Sequence, residues 1–93
     1  MTITTLEEFT AAELAKSPAE VLERFWAADT VVADHKHPFD ANALIVKGEM
    51  WLTCGGQTQH LRPGDRFAVP RGTLHSERYG PEGTTFWVAR RGA

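Results

Sequence analysis

The apolar pattern of the chain changes period once, at Ser17-Pro18. Before that point Thr5 and Glu8 have capping-box spacing, and Leu6, Phe9, Glu13 and Leu14 recur at helical intervals with a partial apolar stripe. This predicts a short helix over residues 5–16. Thr10 and Glu13 repeat the spacing and allow a later start, but Ser17-Pro18 ends the helix either way. Beyond Pro18 the chain reads as strands separated by turns. In VLERFW, Val21, Glu23 and Phe25 alternate with Leu22, Arg24 and Trp26, neither set wholly polar. Asp29-Thr30 reads as a turn before Val31-Val32. Ala41 to Val46 is a nearly continuous apolar run that ends at Gly48, and MWLTC leads to a Gly55-Gly56 hairpin signal. Further strands are expected over 58–61, 66–69, 74–78 and, after the Gly80-Pro81-Glu82-Gly83 turn, 84–89. Turn signals at roughly eight- to twelve-residue intervals predict an all-β barrel or sandwich. The expected organisation is a helical segment over 1–18 leading into one antiparallel β-barrel over 19–93, whose closure removes exposed strand edges.

Composition narrows the class. With 93 residues, 42% apolar and 24% charged, the chain has room for a single modest core. The net charge is −2 and the ten Lys and Arg residues are scattered, so no basic stripe points to nucleic acid. A single cysteine, Cys54, excludes an internal disulfide framework. The N-terminal stretch carries two early Glu residues and does not read as a secretory signal, and no run approaches membrane-spanning length. A cytoplasmic location is therefore expected. Three tryptophans and a helix exceed what so small an interior readily absorbs, which leads us to expect a homodimer.

The candidate chemistry lies in two segments. In an extended strand His35 and His37 share a face while Lys36 points away. The Pro70-Arg71-Gly72 turn then delivers His75 from a separate strand. Three neutral imidazoles converging in this way suit a divalent transition metal such as Zn, Fe, Ni or Mn.

Here the chain resembles the cupin superfamily. The second cupin motif, G-x5-P-x-G-x2-H-x3-N, is matched by Gly64, Pro70, Gly72 and His75, with Tyr79 in place of the final Asn. The first, G-x5-H-x-H-x3,4-E-x6-G, is matched by His35, His37 and Gly48, with Asp29 at its opening Gly and Ala41 at its Glu. The fifteen residues from Glu49 to Pro63 have the length of a short cupin spacer, and the resemblance covers about residues 20–91. It implies a jelly-roll-like barrel holding a metal. Asp40 is adjacent to the position of the missing Glu, but neighbours on a regular strand face opposite ways. A bulge at Pro38-Phe39 would give a shell of His35, His37, Asp40 and His75; without it the site is three histidines.

Other residues read less specifically. Glu77 shares a face with His75 and is either a partner of the imidazoles, a pocket acid or base, or an exposed strand-end charge. His60 lies outside both motifs and reads as a surface residue, and Cys54 as a buried or turn-flanking thiol. Trp26, Trp51, Trp87, Phe39, Phe67 and Phe86 read as core and barrel-end packing, and Tyr79 as a hydroxyl near the site or a barrel cap. The resemblance implies a small-molecule ligand in the barrel and a metal-dependent enzyme of dioxygenase, isomerase or lyase type. A non-catalytic ligand-binding or sensing module and a metal that only staples the core are the alternatives.

Overall fold

A computed structural model describes residues 5–92. The helix α1 (Leu6–Lys16) is followed by eight strands: β1 (Glu20–Trp26), β2 (Val31–His35), β3 (Phe39–Lys47), β4 (Met50–Cys54), β5 (Gln57–Leu61), β6 (Arg66–Val69), β7 (His75–Tyr79) and β8 (Thr84–Gly92). The helix starts at the first of its two possible caps. Glu8 N–H donates to Thr5 Oγ1 at 3.1 Å and Thr5 Oγ1 donates to Glu8 Oε1 at 3.0 Å, which completes the capping box. Thr10 instead turns its hydroxyl back to the Leu6 carbonyl at 2.7 Å.

All strand pairings are antiparallel and form two four-stranded sheets, ordered β1-β8-β3-β6 and β2-β7-β4-β5. Among the described residues no ladder joins the two, so the expected barrel takes the form of two facing sheets. Between them lies the main core, which includes Ile45, Met50, Leu52, Phe67, Val69 and Phe86. A smaller cluster of Phe9, Leu44, Trp87 and Ala89 lies on the opposite side of β3 and β8, where α1 packs. This explains the unbroken apolar run of β3. Its odd positions face the second sheet and its even positions at Leu44 and Val46 meet the helix-side cluster, so neither face is left to water.

The helix is also tied down by charge. Glu13, fully buried, accepts from Arg91 at 3.1 Å and pairs with Lys16 at 2.9 Å, while Arg91 also donates to the Glu13 carbonyl at 2.6 Å. Burial pushes the Glu13 carboxyl up, but the hydrogen bonds and charges of Lys16 and Arg91 outweigh it and hold the group below its ordinary value. Trp87 sits under this helix, its Nε1 donating to Glu23 at 2.8 Å. Trp51 departs from the core expectation: it is half-buried, stacked on the His60 ring at 4.5 Å, with the Arg78 guanidinium 4.0 Å over its face.

Two turn positions have specific backbone needs. Gly48 has φ +77°, and a side chain there would overlap the Gly83 carbonyl, so the β3–β4 connection requires glycine. Asp29, at the opening-Gly position of the first motif, has φ +59°, a left-handed conformation that Asp tolerates better than most residues.

Candidate metal centre

His35 ends β2, an edge strand, and sits opposite His75, the first residue of β7. The ladder between these strands shifts register between Val32 and His35. Val32 pairs with Glu77 and His35 with His75, so three residues on β2 span two on β7. This bulge puts Val32 and His35 on the same side, although a regular strand would oppose them. His37 lies beyond the strand, in the link to β3, and its ring stacks on Phe39 at 4.5 Å and 5°. The turn before β7 is bonded to the same link, with Gly72 N–H donating to the His37 carbonyl at 2.9 Å.

The result is a compact triad. Ring centroids lie 4.2 Å apart for His35 and His75, 4.8 Å for His37 and His75, and 5.0 Å for His35 and His37. One ring nitrogen from each histidine lies within 4.8 Å of the others. His35 Nδ1 and His75 Nδ1 each lie 2.9 Å from a backbone carbonyl oxygen, of Ala33 and Thr73 respectively. A carbonyl only accepts, so both Nδ1 atoms carry the proton, and in the neutral rings each Nε2 keeps a free lone pair. His75 is 1% exposed and its Nε2 has no hydrogen-bond partner; His37 Nδ1 is likewise buried and unpartnered. Burial, then the neighbouring His75 and His35 rings, hold the His37 pKa below its ordinary value and so favour the neutral, ligating form. Oriented neutral imidazoles and an orphaned buried nitrogen fit a divalent transition metal. With bonds of about 2.0–2.1 Å, small ring rotations draw the nitrogens around it.

Asp40 is not brought into this group. The β3–β8 ladder runs in register from Phe39 to Ile45, with no bulge at Pro38-Phe39. Phe39 and Ala41 line the cavity, and Asp40 between them faces away. Its carboxylate accepts from Arg71 N–H at 2.8 Å and pairs with the Arg71 guanidinium at 3.4 Å. These bonds, the backbone one first, hold its pKa below the usual carboxylate value. Asp40 thus secures the turn that carries the chain to His75.

The carboxylate inside the site is Glu77. Its oxygens lie 3.8 Å from His75 Nε2 and 4.0 Å from His35 Nε2, and its side chain is 9% exposed. Tyr79, fully buried, stacks on Trp26 at 5.2 Å and 13°. Burial, then the Glu77 charge, push its phenol well above the ordinary value, so the hydroxyl stays protonated. His60 lies outside the cavity lining, paired with Glu49 at 2.5 Å, and Cys54 is half-buried beside the core.

The histidines open into a cavity of about 80 Å³ with apolar walls from Phe67, Val69, Phe86 and Val88. Arg24, Trp26 and Arg90 also line it, and the sequence reading passed over all three as site residues. The available signal was the alternation of β1, which puts Arg24 on the face of Leu22 and Trp26.

Comparison with known proteins agrees with this fold. The family model described as the cupin domain matches residues 21–86. An RmlC-like cupin from Shewanella frigidimarina is similar with a TM-score of 0.71 at 21% identity, covering 81% of this chain and 67% of that one. A protein of unknown function from Rhizobium leguminosarum has a TM-score of 0.76 at 17% identity, over 100% of this chain and 98% of its own. The DMSP lyase DddQ from Ruegeria pomeroyi has a TM-score of 0.70 at 26% identity, over 77% of this chain, which spans only 37% of the lyase. No curated protein matches the chain.

Proposed function

The chain belongs to the cupin domain family, and on that premise we propose that it binds one divalent transition metal, Zn, Fe, Ni or Mn, through His35, His37 and His75. The observation that carries this reading is the pair of Nδ1–carbonyl hydrogen bonds, which turns two imidazoles into oriented Nε2 donors beside a third. We read the two facing sheets as the halves of the cupin barrel and the cavity between them as the place of a small, oxygen-bearing organic ligand. A metal held there would polarise a ligand oxygen or lower the pKa of water. Beside it Glu77 would take a proton from the ligand, and the apolar walls limit water. The likeness to a DMSP lyase supports a lyase-type reaction within this reading.

The test is reconstitution with each of the four metals, followed by metal analysis. Wild type should retain one equivalent, His35→Ala, His37→Ala and His75→Ala should each lose it, and His60→Ala should retain it. Wild type that retains none of the four overturns the reading.

A further inference from the structure

The polar groups around the cavity, apart from the histidines, are unevenly divided between donors and acceptors. Two guanidiniums line it, Arg24 and Arg90, each over an aromatic ring of the same wall: Arg24 is 5.5 Å from the Trp26 centroid and Arg90 is 4.7 Å from that of Phe39. Among the described residues Arg24 makes no ion pair with a carboxylate, and Arg90 has only a 3.7 Å pairing with Glu20, whose side chain is 66% exposed. Trp26 adds an indole N–H that is buried without a partner. Against these donors the lining offers a single carboxylate, Glu77, which sits beside the histidines.

A half-buried guanidinium with no carboxylate partner and a buried indole N–H are costly unless something accepts from them. Both guanidiniums lie within cation–π range of an aromatic ring, a contact that uses none of their N–H donors and leaves these for bidentate recognition of an anion. The remaining walls, Phe67, Val69, Phe86 and Val88, are apolar and suit a hydrocarbon body. The small volume allows only a few heavy atoms.

We propose that the ligand of this cavity is a small aliphatic monocarboxylate, its anionic head recognised by Arg24 and Arg90 and its short carbon body lying against the apolar wall. The inference names the ligand class of the site proposed above, but the arginines act on the anion whether or not a metal is bound.

The experiment is calorimetric titration of propionate, its neutral isostere propionamide, and inorganic phosphate into both the metal-free and the zinc-treated protein. Zinc stoichiometry is measured separately. Propionate should bind more tightly than propionamide in both forms. Arg24→Gln and Arg90→Gln should each weaken propionate roughly tenfold or more while leaving propionamide unchanged. Arg24→Lys, which keeps charge and fold but loses the planar fork, should fall between wild type and Arg24→Gln. The proposal is overturned if propionamide matches propionate, if phosphate binds more tightly than propionate, or if wild type and Arg24→Lys bind propionate equally while Arg90→Gln has no effect. A protein that takes up no zinc yet discriminates propionate from propionamide defeats the metal reading and leaves this one standing; zinc uptake without discrimination does the reverse.

Discussion

Replacing His75 by Leu separates the cost of the site from its use. His75 is 1% exposed, with no protein partner for Nε2 and with Nδ1 bonded to the Thr73 carbonyl at 2.9 Å. A buried unsatisfied nitrogen costs about 1–3 kcal/mol, and the Nδ1 bond contributes about 0.5–1.5 kcal/mol. Leu is of similar volume and removes both, leaving the carbonyl of the half-buried Thr73 without this partner. The metal-free variant should therefore be as stable as wild type or up to ~2 kcal/mol more stable, an instance of stability given up at a working site. Metal reverses the order. At a hundredfold excess over Kd, zinc stabilises the native state by about 2.7 kcal/mol, or roughly 10–20 °C in Tm for a domain of this size. Differential scanning calorimetry with and without zinc should show this shift in wild type and none in His75→Leu. A metal-free variant destabilised by more than about 2 kcal/mol, or one that keeps the zinc shift, would refute the account of His75 as an orphaned ligand.

Three further outcomes are expected. Asp40→Ala should leave zinc stoichiometry at the wild-type value in metal analysis, because its carboxylate is bonded to Arg71 rather than aimed at the triad; loss of the metal would restore Asp40 to the shell. Glu13→Gln should destabilise the protein by about 1–2 kcal/mol at neutral pH in urea unfolding, most of it through Arg91, since Lys16 lies largely in water. The folded pKa of Glu13 lies below its ordinary 4.5, so its contribution is present above that pH and lost as pH falls through the folded value. The variant should show a shallower acid limb. Light scattering should give twice the 10.3 kDa chain mass if the exposed Phe25, Val31 and Leu74 are covered by a second copy, and a monomer mass at high concentration counts against the homodimer.

By itself the sequence determined the change from helix to strands at Pro18, the strand series, the turn glycines and the identity of the three histidines. Each is a local signal: a capping box, a two-residue alternation, a glycine where φ is positive. Tertiary structure decided how those residues are aimed. Strand alternation correctly grouped His35 with His37, but the geometry that does it is different. A bulge after Val32 rotates His35 inward, and His37 sits in a link held by Gly72. A bulge is a relation between two strands, so no single strand's pattern reveals it. The same holds for the carboxylates. Asp40 and Glu77 are each one or two residues from a motif position, and only the in-register β3–β8 ladder and the β2–β7 pairing turn the first outward and the second toward the imidazoles. Arg24 and Arg90 lie on two neighbouring strands far apart in the chain, and the cavity that gives them a shared purpose exists only once the two sheets face each other.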